Sequence, residues 1–171
     1  HNMVGRILSR KAAEPLQHEY LGAWGQAENF AAFALTEAGA GSDAAGVKAT
    51  GRSVEGGYRI SGEKMWITNG MHARWFLTLV RLNALAQDEP LSAVLVDGNE
   101  PGIERTKIAG KTGIRGSETA VVNFSDVFVR RDHVLGDVGG GLAVCLSTLN
   151  EGRIGIAAQA TGIAEACLEE M

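Results

Sequence analysis

The chain has 171 residues, of which 45% are apolar and 21% charged, and this balance excludes intrinsically disordered and fibrous classes. Its 16 Lys and Arg against 20 Asp and Glu give a formal net charge of -4 with both signs scattered, so we expect no nucleic-acid partner. Apolar stretches fall far short of the ~20 residues that cross a membrane, and no membrane span is expected. The 2 cysteines have no C-x-x-C spacing, which predicts a cytoplasmic protein, or one of the mitochondrial matrix in a eukaryote.

Residues 1–29 carry apolar side chains at the three-and-four spacing of an amphipathic helix. Pro15 interrupts this pattern, and proline is tolerated at the first position of a helix. The spacing therefore predicts two helices, roughly 3–12 and 15–25, neither of which can form a core alone.

From Phe30 onward the pattern changes to short β-rich runs separated by turn residues. Glu55-Gly56-Gly57 and Asn69-Gly70 are typical of hairpin turns. The section is predicted to be an all-β unit with strands at 31–36, 46–53, 57–61, 63–69, 74–81, 91–97, 119–124 and 126–130.

After Gly139-Gly140-Gly141 the helical spacing returns and predicts one long helix over 142–171. Arg153 interrupts its apolar stripe, and an arginine on such a face needs a charged or hydrogen-bonding partner. The helix has no termination signal before Met171, so we expect the chain to stop inside it, as a piece of a longer protein would.

Gly39-Ala40-Gly41-Ser42-Asp43-Ala44 satisfies the G-x-G-x-x-G/A string of dinucleotide-binding proteins. In those proteins the third small residue opens a helix, whereas strand and turn residues follow here, which disfavours a nicotinamide site. The 4 histidines show no metal-ligand spacing, and no serine lies in G-x-S-x-G. No metal site and no hydrolase site are therefore predicted.

Two segments remain as candidates for a binding site. The loop 36–43 is rich in glycine and hydroxyl groups, so its backbone could approach a ligand closely, although a tight turn would use the same glycines. In the strand 63–69 the period of two sends Trp66 and Thr68 to one face and Met65 and Ile67 to the other. An indole beside a hydroxyl can flank a flat heteroaromatic ring, while packing in the core is the ordinary role of a strand tryptophan.

Together these segments resemble the acyl-CoA dehydrogenases. The similarity is carried by T-E-x-G-A-G-S-D at 36–43 and K-x-W-I-T-N at 64–69, supported by G-I-R-G-S at 113–117 and G-R-I-G-I-A-A-Q at 152–159. The last block is most similar to short-chain or general bacterial members. Ala38 and Arg130 depart from the family, which usually has proline at both positions.

The resemblance implies an α+β chain with an all-β middle domain, an antiparallel sandwich or barrel-like unit, flanked by helices of N- and C-terminal all-α domains. Residues 1–29 would end the first helical domain, 30–137 would form the flavin-binding β-domain, and 138–171 would begin the last domain. The implied reaction is FAD-dependent α,β-dehydrogenation of an acyl-CoA to the 2-enoyl-CoA, a step of fatty acid metabolism, with the hydride passing to flavin N5. Its implied partners are an electron-transfer flavoprotein and further copies of the chain, in a homotetramer or homodimer.

The site residues follow from the same resemblance. The residues expected at the flavin are Leu35, Thr36, Ser42, Trp66, Ile67 and Thr68. Ser42 could also reach CoA, and Asn150 and Arg153, three apart on one helix, are expected at the substrate. No catalytic base is assigned, because the family's glutamate would lie beyond Met171 or, in a minority, at the position of Gly152.

The neighbouring Glu151 points ~100° away around the helix and is a poor substitute for that base. This segment alone is therefore expected to be inactive. Two alternatives stay open: an acyl-CoA oxidase or flavin monooxygenase relative on the same scaffold, and a catalytically silent flavin- or CoA-binding module.

Overall fold

The computed structural model describes residues 2–25, 29–82 and 90–171. Two short helices lead into seven strands, and a long helix follows. Their bounds are α1 Asn2–Lys11, α2 Glu14–Gly25, β1 Phe30–Ala34, β2 Thr50–Val54, β3 Gly57–Thr68, β4 Ala73–Leu82, β5 Leu91–Asp97, β6 Ile103–Lys107, β7 Thr119–Arg130 and α3 Gly141–Glu169. Single 3-10 turns lie at Ala44–Gly46 and Arg131–His133.

The strands form one seven-stranded sheet in the order β1-β4-β2-β3-β7-β6, with β5 on the other edge of β4. β1 and β2 both run parallel to β4, at its start and at its end, and the remaining pairs are antiparallel. The sheet is therefore mixed, and the expectation of an antiparallel unit was wrong for these two pairs. Parallel neighbours need a long connection, and residues 35–72, which contain the β2–β3 hairpin, supply it.

β3 and β7 are each one long strand where the sequence predicts two. Their pairing shifts register between Ile60 and Gly62, and Asp126 on β7 has a φ of 53°. Gly62 has a φ of +153°, and a Cβ there would lie 2.5 Å from the Cβ of Ala49. The strands therefore bend at this bulge without ending.

β6 was missed by the sequence prediction. It is an edge strand whose residues after Ile103 are Glu104, Arg105, Thr106 and Lys107, and most of it is exposed or half-buried. A period-two apolar pattern appears only where one face is covered, so an edge strand of this kind leaves no such signal.

The core lies between the sheet and the first half of α3, with α1 packed beside them. Its largest fully buried apolar side chains come from α1, α2 and the central strands: Ile7, Leu8, Leu16, Ile60, Ile67, Phe76, Leu77, Leu79 and Leu95. The second half of α3, from Arg153 onward, is exposed, including Ile154, Ile156, Ile163 and Leu168. The described residues contain three α-helices, so the all-helical flanking domains and the limits 1–29, 30–137 and 138–171 stay predictions. No helix in the described ranges is long and apolar enough to cross a membrane.

Candidate functional site

Lys64 joins the two candidate segments from inside the protein. Its side chain is completely buried, and its ammonium donates to the carbonyls of Leu35 at 3.2 Å and Leu79 at 2.8 Å. The third acceptor is Oε1 of Glu37, at 2.9 Å. A lysine has three N–H donors, so all of them are used. The loop that leaves β1 is therefore tied both to β3, which carries Lys64, and to β4, which carries Leu79.

Glu37 holds the following turn in place. Its carboxylate accepts the backbone N–H groups of Lys48 at 2.7 Å and Ala49 at 3.0 Å, besides the ammonium of Lys64. Burial opposes ionisation of Glu37, but these three donors outweigh it and lower its pKa. Burial also lowers the pKa of Lys64, and the charge of Glu37 counters that effect. The pair is a structural clamp, and Glu37 is not free to act as a general base.

A β-bulge at Met65 and Trp66 presents the indole to the exterior. Lys64 pairs with Val122 and Ile67 with Ala120, so two residues of β3 lie opposite one residue of β7. Trp66 takes the left-handed φ of 61°, which bulky residues rarely adopt. Its side chain is 55% exposed, whereas Ile67 is buried. The bulge thus turns a large aromatic ring outward at the point where the two segments meet.

The backbone joins the segments directly, because the N–H of Met65 donates to the carbonyl of Thr36 at 2.8 Å. Thr68 and Ser42 are exposed and Thr36 is half-buried. Trp66 and Thr68 are both exposed, in agreement with the prediction that they share one face. The side chains of Ile67 and Leu35 lie in the core, so only their backbone could face a ligand.

The candidate cofactor surface, defined as Thr36, Ser42, Trp66 and Thr68 with the glycines between 36 and 43, fits a flat heteroaromatic group. It offers one exposed aromatic face and three hydroxyl groups. A Cβ built on Gly39 or Gly41 would meet nothing within 4 Å, so the loop backbone is open to an incoming ligand. Hydroxyls and open amides suit the polar edge of a heterocycle and a phosphate better than they suit a metal. Among the described residues, no group of three His, Cys, Asp or Glu side chains is arranged to hold a metal.

Asn150 and Arg153 lie together on α3. Arg153 is exposed, and its Nη1 donates to Oδ1 of Asn150 at 2.6 Å. The expected partner of the arginine is thus an amide on its own helix. Arg153 also lines an open groove with Met3 of α1 and Leu149 of α3.

Glu151, which the sequence makes a poor substitute for the family base, is bound by α1. It forms ion pairs with Arg6 and Arg10, each at 2.7 Å. The hydrogen bond from Arg10, with the charges of both arginines, lowers the pKa of Glu151. The carboxylate therefore ties α1 to α3 and is not poised to take up a proton.

Sequence reasoning missed the Lys64–Glu37 clamp. No local signal marks a lysine as buried when its counter-charge lies 27 residues away in the chain. It also missed a cluster under α2, where the Tyr20 hydroxyl meets Nε2 of His133 at 3.1 Å and the Tyr20 ring packs 4.2 Å from that of Trp75. Both cysteines are free, with Cys145 buried and Cys167 exposed.

Known proteins share this architecture. Residues 32–127 match the family described as "Acyl-CoA dehydrogenase, middle domain". A probable medium-chain specific acyl-CoA dehydrogenase of Caenorhabditis briggsae is 39% identical over 160 residues, which are 92% of this chain and 39% of that relative. The chain thus spans about two fifths of the length of that relative.

Two solved structures extend the similarity to the fold. Butyryl-CoA dehydrogenase from Megasphaera elsdenii has a TM-score of 0.90 at 32% identity, covering 96% of this chain and 43% of that one. An acyl-CoA dehydrogenase complexed with FAD, from Bacillus anthracis, has a TM-score of 0.80 at 34% identity and covers 86% of this chain and 25% of that one. Because the family match takes in more than half of the chain, the chain belongs to the acyl-CoA dehydrogenase family.

Proposed function

We propose that this protein is an FAD-dependent acyl-CoA dehydrogenase and that the chain supplies the surface against which the flavin ring lies. The observation that carries the proposal is the exposed pair Trp66 and Thr68, held beside Thr36 by a buried ion pair. The similar Bacillus anthracis enzyme is complexed with FAD, and the candidate cofactor surface here has the aromatic face and hydroxyl groups that such a cofactor needs.

FAD bound at this surface would accept the hydride that leaves the β-carbon of an acyl-CoA. The chain's own residues have separate tasks. Trp66 covers the ring and excludes water from it. Thr36 and Thr68 offer hydroxyl donors, which stabilise the ring when it is reduced and more negative. Ser42 and the open amides of its loop would take a phosphate of FAD or CoA.

The substrate is proposed to extend toward α3, where Asn150 and Arg153 would meet CoA. Arg153 is exposed and has a neutral partner, so its charge is available to a phosphate. For the α-proton we propose a carboxylate outside these 171 residues, because Glu37 and Glu151 are both committed to ion pairs. An electron-transfer flavoprotein as acceptor and a homo-oligomeric assembly complete the proposal.

The test is an FAD titration of the full-length protein, followed by anaerobic addition of an acyl-CoA. We expect the flavin absorption to appear on binding and to bleach on addition of substrate. Trp66→Ala and Thr68→Val should weaken FAD binding. Thr106→Val changes a strand threonine on the edge strand β6 and should leave binding unchanged.

The same assay separates the alternatives. Bleaching followed by rapid hydrogen peroxide formation in air would indicate an oxidase. Binding of FAD and acyl-CoA without bleaching would indicate a silent module. Absence of FAD binding would contradict the proposal itself.

A further inference from the structure

We propose that Lys64 is a positioning residue for the cofactor surface: its buried ammonium aligns the loop 36–43 with Trp66, through Glu37 on one side and the bulge of β3 on the other. The inference rests on the proposed function, since it assigns to the ion pair the task of shaping the flavin site.

The bulge in β3 lets Lys64 and Ile67 both be buried. Side chains an odd number of residues apart in a regular strand point to opposite faces. Lys64 and Ile67 are three apart, and yet both are buried. Both can face inward only if one extra residue is inserted between them, which is what the bulge at Met65 and Trp66 does. The inward direction of Lys64 therefore turns Trp66 outward.

The shape of the loop depends on the same ammonium. Lys64 holds the carbonyl of Leu35 and the carboxylate of Glu37, which are the residues on either side of Thr36. Glu37 in turn binds the backbone N–H groups of Lys48 and Ala49, so the segment 38–47 forms a closed loop. Thr36 and the glycines that follow are thus fixed at both ends, with Ser42 on the enclosed turn.

Charge balance links the two partners. The groups facing the ammonium are two carbonyls, the carboxylate of Glu37 and, nearby, the thiol of Cys145. Burial raises the pKa of Cys145 to about 12, so the thiol stays neutral and gives no counter-charge. Glu37 is the carboxylate that balances Lys64, and removal of either partner leaves a buried charge uncompensated. The side chains of Lys64 and Glu37 are 0% and 10% exposed, so we expect the loop to move when either partner is left alone.

The experiment is a double-mutant cycle in the full-length protein, with Lys64→Met, Glu37→Gln and the double variant. Lys107→Met is the matched control, because it removes an exposed lysine from a Lys–Glu pair, 2.6 Å from a half-buried Glu118. Each variant is compared at a temperature where circular dichroism shows it to be fully folded. The measurements are the FAD dissociation constant and the visible circular dichroism of the bound flavin at saturating FAD.

We expect each single variant to raise the FAD dissociation constant by about tenfold or more, and the double variant to raise it by less than the product of the two. The visible circular dichroism should change, because the loop 36–43 and Trp66, which would contact the flavin ring, are displaced. A loss of stability alone would leave the spectrum of the bound flavin unchanged. Wild-type affinity and spectrum in folded Lys64→Met would overturn the inference.

If Lys64→Met does not fold, Glu37→Gln decides alone, since it keeps the size of the side chain while it removes the charge and one of the two acceptor oxygens. Wild-type FAD binding in Glu37→Gln then overturns the inference. A wild-type protein that binds no FAD overturns the proposed function as well, so the two failures are distinguishable.

Discussion

Acidification should destabilise the protein through His133. This histidine is 4% exposed, and its Nδ1 lies 2.9 Å from the carbonyl of Leu95. A carbonyl can only accept a hydrogen bond, so Nδ1 carries the proton, and Nε2 accepts a hydrogen bond from the hydroxyl of Tyr20. Burial lowers the pKa of His133 and the charge of Arg130 adds to this, and together they outweigh the hydrogen bond to Leu95 and the charges of Asp132 and Glu19, which raise it. The native protein therefore holds His133 neutral.

The free energy of unfolding should fall as the pH drops below the ordinary histidine pKa of 6.5, until the folded pKa is reached. In this range His133 is protonated in the unfolded chain and remains neutral in the folded protein. One proton gives a slope of up to about 1.4 kcal/mol per pH unit. In a protein of this size that corresponds to roughly 3–6 °C in Tm per pH unit. The carboxylates with lowered pKa, such as Glu37 and Asp132, lose their contribution only at lower pH, below their ordinary values of 4.5 and 3.8.

The assay is thermal unfolding at a series of pH values between about 7.5 and 5.5. His133→Gln should flatten the dependence on pH, whatever it does to the absolute Tm. His18→Gln is the control, because its side chain is 82% exposed, and it should keep the wild-type slope. Equal slopes in wild type and His133→Gln would refute the assignment of this proton to His133.

Four further outcomes are expected. Gly57→Ala should destabilise by at least about 2 kcal/mol in denaturant unfolding, since the new Cβ would lie 2.1 Å from a backbone carbonyl of β7. Gly22→Ala in α2 meets nothing within 4 Å and should stabilise by about 0.5–1 kcal/mol in the same assay; a loss of stability there would contradict the packing of this helix. Tyr20→Phe should cost about 1–3 kcal/mol, because it leaves Nε2 of His133 buried without a donor, and an unchanged Tm would refute that bond. Thr68→Val should lower the flavin reduction potential of the full-length protein, measured against a reference dye. An unchanged potential would contradict a contact between the Thr68 hydroxyl and the flavin ring.

Much of the fold could be predicted from local pattern. The helices near 3–12 and 15–25, the start of the last helix and the strands at 74–81 and 91–97 all agree with the structure to within about two residues. Hydrophobic periodicity and turn residues act over a few neighbours, so a single sequence suffices for them. The same holds for the candidate site. Alternation predicts that Trp66 and Thr68 share one face, and both are exposed, while the glycines of 39–41 mark an open loop.

What only the tertiary structure decided depends on partners that are distant in the chain. Whether β1 runs parallel or antiparallel to β4 is set by how the chain between them crosses the sheet. The residues of the two strands do not indicate their relative direction. β6 is a strand because β7 pairs with it, although its own side chains are polar.

The clearest case is Lys64. By composition it is a surface residue, and by alternation it would share the face of Trp66. It is buried because a carboxylate and two carbonyls converge on its ammonium from separate parts of the sheet. Burial of a charge is stable only when its partners are supplied at the same time, and residues 29, 27 and 15 positions away supply them. Sequence alone therefore predicted which segments form the candidate site, and the folded sheet determined how those segments are held together.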